Sequence, residues 1–240
     1  MAEAKGYRNL DTLVASNTPL KPGDKVYANN MGKTIALFVI GSEPLEAGMK
    51  ILGAHVDSPR LDIKQNPLYE DHDLALLDTH YYGGVKKYQW VTLPLALHGV
   101  VVLKDGTKVE VVIGEKEEDP VVGVSDLLIH LSADQLKKSG SEVVEGEDLN
   151  ILVGSMPLDK EGSDQVKAMV LDILRKEYGF AEEDFLSAEL EAVPAGKGRD
   201  YCIDRSMIMG YGHDDRVCAY TSLMAVLVVE TCDKTRVSLV

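Results

Sequence analysis

Two short stretches hold the residues that could do chemistry. The first is Gly53-Ala54-His55-Val56-Asp57-Ser58-Pro59-Arg60. An imidazole and a carboxylate two positions apart suit a divalent-metal site, in which the imidazole binds the ion and the carboxylate orients the imidazole or the ion's water. The apolar run Met49 to Leu52 reads as a buried strand leading into the stretch. On a strand, residues two apart share a face, so His55 and Asp57 are expected to project together, with Cβ atoms about 7 Å apart. Pro59 is expected to end that strand, because proline cannot donate to a ladder. The same triplet is also compatible with a strand end that carries two solvated polar residues.

The second stretch, Gly210-Tyr211-Gly212-His213-Asp214-Asp215-Arg216, opens an apolar helix expected over Val217 to Glu230. A helix N-terminus favours anions and so keeps a carboxylate ionised, as a metal ligand must be. Aspartate is also a preferred N-cap. Capping and metal binding are both open to Asp214 and Asp215, and one aspartate can serve each role.

These stretches need elements to hold them. Lys25 to Ala28 and Lys33 to Ile40 read as a hairpin around Asn29-Asn30-Met31-Gly32. The near-continuous apolar run from Thr34 to Ile40 is that of a strand covered on both faces. Leu61 to Gln89 shows little periodicity. Asp105-Gly106 between Val100–Leu103 and Val109–Ile113 is a two-strand hairpin signal. Leu127 to Leu131 is expected to be a short helix, with His130 a core or interface histidine. Leu149 to Val153 and Phe185 to Val193 read as strands. Asp164 to Tyr178 is an amphipathic helix, with Val166, Met169, Val170, Ile173 and Leu174 on one stripe and Gly179 as its C-cap. Arg236 to Val240 reads as a last strand. The order of elements predicts an α/β layer built from both ends of the chain, with a β-rich insertion between them.

Composition excludes several classes. The chain has 240 residues, 45% of them hydrophobic, so a packed core is within reach. The net charge of −14 argues against nucleic-acid and anionic-membrane partners, which need clustered Lys and Arg. No apolar run has the length of a membrane span, and no secretory leader is evident. Cys202, Cys218 and Cys232 lack Cys-x-x-Cys spacing and read as reduced thiols, which points to a cytoplasmic protein.

Taken together, His55-Val56-Asp57-Ser58-Pro59-Arg60-Leu61-Asp62, Tyr82-Gly83-Gly84 within Tyr82 to Trp90, and Asp214-Asp215-Arg216 resemble the aspartyl aminopeptidase/aminopeptidase I family of dinuclear zinc metallopeptidases, a bacterial branch in particular. The resemblance covers essentially the whole chain. It implies an α/β fold: a mixed-sheet zinc-peptidase domain of the phosphorylase/hydrolase-like kind, formed by residues 1–61 and 183–240, with an inserted β-rich dimerisation domain over residues 62–182. It implies two divalent ions, zinc by preference and cobalt or manganese as alternatives. His55 would be a terminal metal ligand and Asp57 the catalytic residue that orients it. Asp214 would bridge the metals, with a cis peptide often following it, although Asp215 leaves a one-residue ambiguity. The implied reaction is removal of an N-terminal residue, typically acidic, from peptide substrates. The implied assembly is a homo-oligomer, a dodecamer built from dimers through the insertion.

A catalytic zinc site needs about three protein ligands and a water. The resemblance implies a Glu-Glu pair after the strand that begins at Arg236, a further Asp and a late His, together with a longer opening helix. On this reading the chain is a fragment of the enzyme, inactive alone. The alternative is a non-catalytic scaffold or oligomerisation subunit derived from the same fold. A third reading keeps the metal logic and changes the substrate, as in a deacylase or carboxypeptidase. Asp126 and His130 lie where one branch of the family places a partner-reaching histidine, and neither is assigned that role. His72, His80, His98 and His213 show no ligand spacing.

Overall fold

The structure is a computed structural model that describes residues 1–159 and 161–240. In chain order the elements are β1 (Arg8–Asn9), α1 (Leu10–Ala15), β2 (Lys25–Asn30), β3 (Thr34–Val39), β4 (Lys50–Gly53), β5 (Arg60–Asp71), β6 (Leu74–Tyr82), β7 (Leu95–Val102) and β8 (Lys108–Ile113). Then follow β9 (Ile151–Gly154), α2 (Gln165–Tyr178), β10 (Ala188–Pro194), β11 (Arg199–Tyr201), β12 (Met207–Met209), α3 (His213–Leu227) and β13 (Arg236–Leu239). Two compact units result: Met1–Ser58 with Gly212–Val240, and Pro59–Tyr211. Among the described residues no helix is long and apolar enough to cross a membrane.

The first unit is built on a mixed sheet of order β1-β2-β3-β13-β4. The expected hairpin is present: β2 pairs antiparallel with β3 from Lys25↔Val39 to Asn30↔Thr34. β13 enters the middle of the sheet, antiparallel to β3 and parallel to β4. β3 therefore lies inside the sheet with a strand along each edge, and Leu37 and Val39, which share a face, are fully buried. Tyr7, Leu37, Val39, Val226 and Leu227 form the core, so the C-terminal part of α3 packs against the sheet. Because β13 and β4 run parallel, their carboxyl ends lie at the same edge, where ligand sites of α/β sheets form.

The second unit carries an antiparallel sheet of order β8-β7-β10-β5-β6-β9. Asp105-Gly106 does connect a hairpin, with β7 and β8 paired from Leu97↔Ile113 to Val102↔Lys108. α2 ends at Gly179, whose φ of 76° is left-handed, as expected of a glycine C-cap. Its Val166, Val170 and Leu174 join the core around Phe180, Phe185, Leu95 and Ile151.

Several expectations are corrected. Leu61 to Gln89 holds two long strands, β5 and β6, paired from Arg60↔Tyr82 to Asp71↔Leu74. Phe185 belongs to a 3-10 turn, Glu182–Ser187, and its strand begins at Ala188. Leu127 to Leu131 is not helical but irregular, and Leu127, Leu128, Ile129 and Leu131 are exposed. His130 is exposed too and is no core residue. The second crossing between units falls at Tyr211 and Gly212, whereas the sequence placed it near residue 182. The reason is that β10 pairs with β7 along its whole length and with β5, which ties the chain to the second sheet well past residue 182.

Candidate metal centre

All the candidate ligands fall in the first unit. β4 ends at Gly53, and residues 54–59 follow without regular structure. His55 and Asp57 are therefore not on a strand, and Pro59 does not end one. Just past the strand, Ala54 N–H donates to Leu239 O of β13 at 3.1 Å. A loop does what strand alternation was expected to do. His55 Nδ1 lies 3.0 Å from Asp57 Oδ1.

The second stretch meets it from the start of α3. Gly212 has φ +81°, a left-handed conformation suited to glycine. A Cβ there would collide with the guanidinium of Arg216, which folds back and donates to Gly212 O at 3.4 Å. Asp214 has non-helical backbone angles of −88° and 113°, and the Asp214–Asp215 peptide bond is cis. Neither aspartate caps the helix: the N-cap is Gly212, and no side chain makes a capping bond. Asp215 instead directs Oδ2 to His55 Nδ1 at 2.9 Å. Ser58, buried at 6% exposure, donates its hydroxyl to the carbonyl oxygen of Asp214 at 3.0 Å. The two stretches so joined are 156 positions apart in the chain.

The charges explain the state of each group. The hydrogen bond with Asp57, then the negative charge of Asp215, hold the His55 imidazole above its ordinary pKa. The hydrogen bond shared with Asp214, then desolvation and the charge of Asp214, push Asp215 up. Three carboxylates thus crowd one imidazole, and like charges so placed favour taking up a proton or a cation. The His55 side chain is 69% exposed. With Nδ1 engaged, Nε2 has no hydrogen-bond partner among the described residues, so the ring offers solvent one open nitrogen on an anchored plane. Metal-binding histidines are held in this way.

The donor set fits part of a metal site. Among the described residues no group of three or more His, Cys, Asp or Glu side chains is disposed to hold an ion. The geometry gives the reason: Asp57 and Asp215 both turn toward Nδ1, so they orient the ring and do not face a point in front of Nε2.

Other candidates lie elsewhere. Asp126 accepts from Leu127 N–H and Gln135 within its own exposed loop. His98 pairs with Glu115 at 2.8 Å, His72 with Asp71, and His80 stacks on Tyr81. Arg60 and Tyr82 belong to the second unit, where the guanidinium lies 4.0 Å over the Tyr82 ring and Nε is 2.7 Å from Asp62 Oδ1. A groove of about 780 Å³ in that unit, bordered by Leu93, Pro94, Val121, Val122, Ile173 and Leu174, is lined by no titratable side chain. Sequence reasoning missed Ser58 as a member of the centre. Its signal was its place directly after Asp57, inside the stretch that carries the family resemblance.

The family model for "Aminopeptidase I zinc metalloprotease (M18)" matches residues 2–240. The chain belongs to this family. It is 63% identical over 239 residues to a "Probable M18 family aminopeptidase 1" of Clostridium acetobutylicum, covering 99% of this chain and 51% of that protein. The crystal structure of aminopeptidase I from the same organism superposes with a TM-score of 0.90 at 63% identity, over 99% of this chain and 52% of that one. The structure of the S. cerevisiae mApe1 dodecamer shares the fold at a TM-score of 0.68 and 19% identity, over 99% of this chain and 54% of that one. The chain spans about half the length of the curated relatives it matches.

Proposed function

We propose that the protein is a zinc aminopeptidase, and that this chain carries the half of its active site that anchors one imidazole and one aspartate to two metal ions. His55 would hold metal through Nε2 and Asp214 through its carboxylate, while Asp57 holds the ring from behind. The observation that carries the reading is the convergence of Asp57 and Asp215 on Nδ1 of an exposed His55, at 3.0 and 2.9 Å. Metal held there would supply Lewis-acid chemistry for a carbonyl and a water. The remaining donors, and a glutamate as general base, come from the part of the longer relatives that this chain does not match. The substrates are peptides with a free N-terminus, acidic residues foremost.

The first unit is the phosphorylase/hydrolase-like catalytic domain, and the second is the inserted dimerisation domain. The exposed apolar run Leu127–Leu131 and the apolar groove support self-association of the second unit, since patches of this kind mark contact surfaces. Dimers made through it assemble into a dodecamer. The test is release of chromophore from N-terminal aspartyl, glutamyl and leucyl p-nitroanilides by the whole gene product, with zinc, cobalt or manganese added after chelation. Metal-dependent cleavage is the expected result. A folded, metal-supplied protein that leaves every substrate intact points instead to a scaffold subunit.

A further inference from the structure

We propose that Ser58 is a positioning residue of the metal centre: its hydroxyl fixes the peptide between Asp214 and Asp215, and thereby sets the Asp214 carboxylate toward the ion that His55 would hold and the Asp215 carboxylate toward the His55 ring. The inference rests on the metal reading above. Three features of the first unit carry it. The Ser58 side chain is buried, and its hydroxyl donates to the carbonyl oxygen of Asp214 at 3.0 Å. That oxygen belongs to the peptide linking the two aspartates, so holding it sets the plane from which both side chains depart. Ser58 also follows directly on Asp57 in the loop that carries His55, so one hydroxyl couples the imidazole-bearing loop to the carboxylate-bearing turn.

The surroundings leave the turn little room. A Cβ on Gly212 would lie 3.4 Å from Ser58 Oγ and against the Arg216 guanidinium. Glycine at 212 therefore leaves the space that lets Arg216 close one side of the turn and Ser58 hold the other. Partners of this kind, bonded behind the ligands, typically change metal affinity by about 10- to 100-fold when removed.

The experiment compares the wild-type gene product with Ser58→Ala and Ser58→Thr. Zinc affinity is read by calorimetry, the ligand field by the visible spectrum of the cobalt-loaded protein, and folding by thermal melts. Ser58→Ala is expected to weaken zinc by about tenfold and to alter the cobalt bands. Ser58→Thr keeps the donor and is expected to restore both. A purely structural serine would lower the melting temperature of the alanine variant and leave the folded protein's zinc affinity and cobalt spectrum as in wild type; that result overturns the inference. A folded Ser58→Thr protein that behaves like Ser58→Ala overturns it as well. Wild type that takes up neither ion overturns the metal reading and the inference together, whereas binding wild type with an unaffected alanine variant overturns the inference alone.

Discussion

Asp57→Asn keeps an oxygen beside His55 Nδ1 and removes its charge. The hydrogen bond to Asp57 is the leading reason that the His55 pKa is raised, with the charge of Asp215 second. The variant should therefore bring the imidazole back toward its ordinary value without reaching it, because Asp215 remains 2.9 Å from the same nitrogen. The magnitude for zinc follows from the same geometry. Loss of an orienting carboxylate costs about 10- to 100-fold in affinity. With one of two carboxylates left on Nδ1, the single variant belongs at the lower end, about tenfold, and Asp57→Asn/Asp215→Asn at the upper, about hundredfold.

The pH dependence separates this from a general loss of structure. A proton on Nε2 competes with the metal there, so wild-type binding should weaken as pH falls through a midpoint raised from the ordinary histidine value. In Asp57→Asn that midpoint moves down while the affinity at high pH falls. NMR titration of the His55 ring in metal-free protein and calorimetry at several pH values measure both. An unmoved His55 titration together with zinc affinity within about twofold of wild type would refute the role given to Asp57.

Glu70 Oε2 accepts from Val166 N–H and Lys167 N–H, both at 2.9 Å, at the start of α2. Glu70→Ala should destabilise the second unit by about 1–2 kcal/mol, as loss of a helix cap does, measured by urea unfolding. Phe180 is 1% exposed and packs edge-on to Phe185 at 5.5 Å, so Phe180→Ala should cost about 3–5 kcal/mol in the same assay. Burial is the main cause that pushes Tyr7 up to about 12, and its hydroxyl donates to Val226 O at 3.0 Å. A folded-state pKa above the unfolded one means that stability is intact below about pH 10 and declines as pH rises from there to about 12. The decline is at most about 3 kcal/mol, at about 1.4 kcal/mol per unit. Denaturant titrations of Tyr7→Phe should show a flatter slope over that interval.

Much of the frame was legible because its signals are local. The Asp105-Gly106 turn, the stripe on α2 with Gly179 behind it, and the continuous apolar run of β3 each report structure within a few residues. β5 was illegible because Gln65, Asn66 and Pro67 interrupt its alternation. The structure absorbs them in a register shift between Ile63 and Leu68, a device that lets a strand tolerate proline. Its turn to β6 uses His72 and Asp73, with φ of 50° and 58°, in place of the glycine that marks such turns in sequence. Leu127 to Leu131 was misread because a short apolar run has no period of its own. In the metal centre, residue types pointed to His55, Asp57 and the Asp214-Asp215 pair. They did not show that a loop gathers them, that Asp215 is the aspartate turned to Nδ1, or that Ser58 holds Asp214. Those are properties of contacts between distant segments, and no local pattern encodes them.

The central claim is that His55 presents Nε2, and Asp214 its carboxylate, to a common ion. Crystals of the protein grown with zinc, with anomalous diffraction recorded on either side of the zinc absorption edge, test it directly. The account predicts a peak about 2.0–2.1 Å from His55 Nε2 and within bonding reach of Asp214. Strong anomalous peaks elsewhere in the crystal, with none in front of His55, would contradict it.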